Sequence, residues 1–114
     1  MSLIMIYKDI TSEEFDQRVL RESKIALVKF RASWSGSCQI LAPIFSELSK
    51  HYHHRINFFT VDIDKNNTSA VHYGVHELPD ILFFRNGELL DRVTGTAPQS
   101  MLISKIEKIL SLKK

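Results

Sequence analysis

A mixed β-sheet with helices on both faces is the fold class this sequence predicts, and three observations carry it. Ile25-Ala26-Leu27-Val28-Lys29-Phe30 is a nearly continuous apolar run, the pattern of a strand covered on both faces. Ile81-Leu82-Phe83-Phe84 and Leu89-Leu90-Asp91-Arg92-Val93 flank Arg85-Asn86-Gly87-Glu88, and Asn-Gly between such runs is a strong hairpin signal. Amphipathic helical stretches separate the earlier strands, so strands and helices alternate before the hairpin.

The elements follow in order. Ile4 and Ile6 alternate with other residues in a short first strand. Thr11-Ser12-Glu13-Glu14 reads as a capping box, with a hydroxyl at the cap and a carboxylate three residues on. Phe15 and Val19 then recur at helical spacing. After the apolar run at 25–30, a helix from Ser35 to about Tyr52 places Ile40, Leu41, Ile44, Phe45 and Leu48 on one face. Pro43 inside it predicts a kink. Ile56 to Ile63 is another strand. Asn66 or Asn67 is placed to cap a short helix ending at Gly74. Thr96-Ala97-Pro98-Gln99 reads as a second capping box, followed by Leu102, Ile106, Ile109 and Leu110 on one helical face. The order is β-α-β-α-β-α-β-β-α. Right-handed crossovers give three parallel strands, and the hairpin adds antiparallel ones: five strands and four helices.

Composition restricts the function classes. At 114 residues the chain predicts one domain, residues 1–114, with a core of its own. It is 44% hydrophobic and 25% charged with a net charge of +2, the make-up of an ordinary globular protein. No basic block or stripe supports nucleic-acid binding. No stretch approaches the roughly 20 apolar residues of a membrane span. The first residues lack the charged n-region of a signal peptide, so the expected location is the cytoplasm. With one cysteine, Cys38, an intramolecular disulfide and a multi-cysteine metal site are both excluded. His51, His53 and His54 cluster at a helix end, but no cysteine or carboxylate at ligand spacing joins them; no metal and no cofactor are expected.

Lys29-Phe30-Arg31-Ala32-Ser33-Trp34-Ser35-Gly36-Ser37-Cys38, with Pro43 in the helix after it, resembles the active-site segment of the thioredoxin family. That segment runs strand, aromatic, Ala, Trp-Cys-Gly-Pro-Cys, then a helix with an internal proline. Forty-one residues after Cys38, Pro79 within Leu78-Pro79-Asp80 is similar to the family's cis-proline loop. Asn86-Gly87-Glu88 and Thr94-Gly95-Thr96 match its hairpin and last substrate-facing loop. The resemblance covers nearly the whole chain and implies the thioredoxin fold. It implies an extended peptide or protein partner in a groove formed by Trp34, Gly36, Ser37, Leu78, Pro79 and Gly95, held by strand addition. A monomer is expected.

Four departures bear on chemistry. Ser35 stands where the family has its attacking cysteine, Ser37 where it has proline, Lys29 where it has a buried acid, and Thr60 where a basic residue often accompanies that acid. A serine with no adjacent base has no accessible alkoxide at neutral pH. Its better role is helix N-cap. Cys38 is either a half-buried packing residue or a slow monothiol for mixed disulfides, since the helix dipole favours its thiolate and burial opposes it. Lys29, in mid-strand, needs a partner, neutralisation or a wet strand end. The expected partner is Asp80, with Asp62 second, and a Lys29–Asp80 pair beneath the motif would modulate the Cys38 thiol.

Three functional readings follow. The first is a binding module that keeps the groove without the dithiol cycle. The second is a monothiol redox protein acting through Cys38 in thiol–disulfide exchange or redox homeostasis. The third is a dithiol oxidoreductase in which Ser35 replaces cysteine; the joint change at Lys29 and Ser37 argues against it.

Overall fold

The computed structural model describes residues 6–112. Strand β1 is Tyr7–Asp9, so the predicted first strand begins later than expected; Ile6 precedes it, and Ile4 lies outside the described residues. Helix α1, Ser12–Phe15, starts at the predicted capping box: Thr11 Oγ1 accepts from the Glu14 amide, and the Glu14 carboxylate accepts from the Thr11 amide. The helix continues as a π-helical segment, Asp16–Leu20.

Strand β2, Ile25–Arg31, is buried along all but its last residue, as its apolar run requires. Helix α2, Gly36–Tyr52, runs through Pro43. Strand β3 is Ile56–Asp62. Helix α3, Thr68–His72, has Asn67 at its N-cap without a side-chain bond; Asn66 Oδ1 instead accepts from the Ser12 amide at 3.2 Å. Gly74, at φ +65°, leaves the helix in the left-handed region.

Strands β4, Asp80–Arg85, and β5, Glu88–Thr94, form the predicted hairpin, with Arg85 opposite Glu88. Asn86 and Gly87 have φ +51° and +79°, the pair of positive angles a type I′ turn demands. Helix α4, Gln99–Leu110, corrects one expectation. Its N-cap is Pro98, with no side-chain cap bond, so Thr96 does not form a capping box. A cap at Thr96 would put Ala97 in helical backbone immediately before a proline, which proline disfavours.

The sheet order is β1-β3-β2-β4-β5, with β1, β3 and β2 parallel and β4 and β5 antiparallel to their neighbours. Strand alternation divides the core into two layers. Leu27, Phe58, Ile81 and Phe83 pack with α2 and α4 through Leu41, Phe45, Leu102 and Ile106. Val28, Phe30, Leu82 and Phe84 pack on the other face with Phe15, Val19 and Ala70. Both layers hold the C-terminal end of β2 rigidly, and the turn after it carries residues 32–38.

Candidate functional site

The turn from β2 to α2 sets the site. Ser35 is the N-cap of α2, in extended backbone, and its Oγ accepts the Cys38 amide at 3.2 Å. The hydroxyl is thus engaged as a cap acceptor, as its position in the sequence predicts. Cys38, in the first turn, is only 5% exposed. Gly36 and Ser37 are exposed on the same turn.

Trp34 projects from the turn, 68% exposed, yet is not free to swing. Its Nε1–H donates to Asp64 Oδ2 at 2.9 Å, and the Asp64 amide donates to Asp62 Oδ1 at 3.0 Å. Asp62 in turn meets Arg31, whose guanidinium also reaches Asp9 at 3.3 Å. A chain of polar contacts therefore runs from the ends of three strands to the indole.

Beside Trp34 lies a cleft of about 320 Å³ lined by Trp34, Ser35, Ile63, Val75, His76, Glu77 and Leu78. The Leu78–Pro79 peptide bond is cis. Pro79 itself is buried behind the cleft wall, and its carbonyl accepts the Gly95 amide at 2.7 Å. Gly95 has φ +86°, and a Cβ there would meet Glu77 Oε2 at 3.5 Å. Of the predicted groove residues, Trp34 and Leu78 line one cleft, Pro79 and Gly95 form its bonded edge, and Gly36 and Ser37 stand outside the lining.

The expected Lys29–Asp80 pair does not form. Across β2 and β4, Lys29 registers with Ile81 and Asp80 with Phe30. Adjacent residues on a strand point to opposite faces, so a one-residue offset places the two side chains on opposite sides of the sheet. Asp80, 1% exposed, is held in the α1–α3 layer by the Arg92 guanidinium at 2.9 and 3.4 Å and by the Thr94 hydroxyl at 3.0 Å. Arg92 also donates to the Tyr73 carbonyl at 2.7 Å, tying the start of the 74–79 loop to its end. Asp62, the second candidate partner, pairs with Arg31 instead.

Lys29 lies in the other layer, 3% exposed. Its Nζ sits 4.9 Å from the centre of the Phe45 ring, and no carboxylate among the described residues lies within ion-pairing distance. Burial pushes its pKa down from about 10.5 to about 8; the neighbouring Cys38 pulls upward and Arg31 pushes further down. The site thus has an alkylammonium under the helix turn where the family pattern has an acid.

Sequence reasoning missed Ile63, Asp64, Val75, His76, Glu77 and Arg92. None carries a local signal: Asp64 is thirty residues from the indole it holds, and Arg92 reads as an ordinary hairpin residue.

The thioredoxin family model, described as "Thioredoxin", matches residues 6–108. The chain belongs to the thioredoxin family. It is 36% identical over 101 residues to a chloroplastic M-type thioredoxin of Pisum sativum, covering 89% of this chain and 59% of that protein's length. A thioredoxin of Pyropia yezoensis is 33% identical over 107 residues, covering 94% of this chain and all of that one. A thioredoxin of Staphylococcus epidermidis is 34% identical over 101 residues, covering 89% and 95%. This thioredoxin-family chain has a single, buried cysteine, so an intramolecular dithiol cycle is chemically closed to it.

Proposed function

We propose that this thioredoxin-family chain is a binding module: it takes an extended segment of a peptide or protein partner in the cleft beside Trp34 and does not reduce disulfides itself. The observation that carries the reading is the combination at one helix start. The side chain where an attacking thiol would stand is a hydroxyl spent on capping, and the adjacent cleft is intact, apolar and walled by a tryptophan fixed by Asp64. A rigid aromatic beside a preformed apolar cleft lowers the ordering cost of binding.

The competing reading is a monothiol role for Cys38. Lys29 lies close to Cys38, but the sulfur has little access to solvent.

Two measurements test the proposal. Insulin-disulfide reduction with dithiothreitol should run no faster with the chain than without it; catalytic turnover would overturn the proposal. Amide and indole NMR titration with carboxymethylated insulin B chain should move the Trp34, Leu78 and Gly95 signals. The binding should persist in Cys38→Ser; its loss there, with the variant folded, would favour the monothiol reading.

A further inference from the structure

The cleft has a charge as well as a shape, and this inference rests on the binding-module reading. Trp34, Ile63, Val75 and Leu78 give it an apolar lining, and Glu77 stands in its wall. Glu77 is exposed, and its Oε2 reaches to within 3.5 Å of the Cβ position of Gly95, at the loop after β5. Asp64 is exposed at the Trp34 edge of the same cleft, its Oδ2 on the indole N–H. Neither carboxylate has an ion-pair partner among the described residues. Lys65, next to Asp64 in the turn, pairs with neither, and His76 is the remaining titratable group in the lining. Two uncompensated carboxylates therefore flank an apolar cleft in a chain whose net charge is +2.

We propose that the cleft selects an extended segment in which a bulky aliphatic side chain has a lysine or arginine two positions away. The aliphatic group seats between the Trp34 indole and Leu78. In an extended chain successive side chains alternate faces, so the residues two positions before and after that anchor point the same way, along the cleft toward Glu77 and Asp64. The cation gains from a carboxylate that no ion-pair partner among the described residues neutralises, and a glutamate at the same place meets like charge in a cleft of lower dielectric than bulk water. Specificity thus comes from attraction and repulsion together. Glu77 is the specificity-determining residue, because Asp64 is committed to holding Trp34.

The single tryptophan makes the test direct, since fluorescence of the whole chain reports Trp34. The intact chain is titrated at low salt with three acetylated, amidated peptides, each with a central leucine and, two positions away on both sides, lysine, glutamine or glutamate. The lysine peptide should bind roughly threefold to tenfold more tightly than the glutamine peptide, the range of one or two exposed ion pairs. The glutamate peptide should be the weakest. Glu77→Gln and 0.5 M sodium chloride should each reduce the spread between peptides. Equal affinity for all three, or a preference that survives both Glu77→Gln and high salt, overturns this inference and leaves the binding reading standing. No saturable response to any of the three overturns both.

Discussion

Lys29 is a test of how burial, without a counter-charge, feeds into stability. The folded chain releases the Lys29 proton near pH 8, whereas the unfolded chain keeps it to about 10.5. Between those values the unfolded state binds the extra proton, so raising the pH favours folding. The penalty is complete below pH 8 and gone above 10.5. At 1.36 kcal/mol per pH unit, that difference amounts to about 3 kcal/mol. Lys29→Met keeps the volume and removes the charge, at the loss of the Phe45 contact. The variant should be more stable at pH 7 by about 2–3 kcal/mol. With an unfolding entropy near 2.1 cal/mol/K per residue, that raises Tm by about 8–12 °C. Calorimetry or urea titration from pH 7 to 10 measures both effects: rising stability in the natural chain, and no such rise in Lys29→Met. Tyr52 bounds the window from above. Its phenol is buried and bonded to Glu107 at 2.6 Å, which pushes its pKa up to about 12, so stability falls again once unfolded tyrosines ionise near pH 10. A natural chain whose stability is flat between pH 8 and 10, or a Met variant that is less stable at pH 7, would refute the reasoning.

Two further substitutions probe the site's supports. Arg92→Leu removes the guanidinium from buried Asp80 and leaves only Thr94, so urea denaturation should register a loss of about 2–4 kcal/mol, with much of it recovered in Asp80→Leu/Arg92→Leu; a loss below about 1 kcal/mol would mean the pair is not what holds that layer. Ser35→Ala deletes the acceptor for the Cys38 amide and should cost about 1 kcal/mol in the same measurement, with Ser35→Gly costing less.

Much of the fold was legible because its signals are local. The Asn86-Gly87 turn needs two positive φ values that few residues supply, and the sequence has those residues at the two positions concerned. The Thr11 box and the Ser35 cap are satisfied within three residues. The Thr96 box fails for an equally local reason, the proline at its third position, which the hydroxyl-to-glutamine spacing alone does not weigh. The site was legible in its residue types and less so in its pairings. Asp80 does lie on the strand beside Lys29, but the partner depends on register, and a shift of one residue changes the face. Asp64 and Glu77 were invisible because their roles arise where distant loops meet.

The one-residue offset between Lys29 and Asp80 has a consequence for how this molecule can change over time. The sheet acts as a partition, with a cation that meets no carboxylate among the described residues in one compartment and a closed acid–base pair in the other. Substitutions beneath the helix turn at Lys29 leave the Arg92 tether of the cleft wall untouched, and substitutions at Asp80 or Arg92 leave the surroundings of Cys38 untouched. The thiol chemistry and the binding wall are thus separately mutable, and a lineage could discard the first while the second stayed under selection.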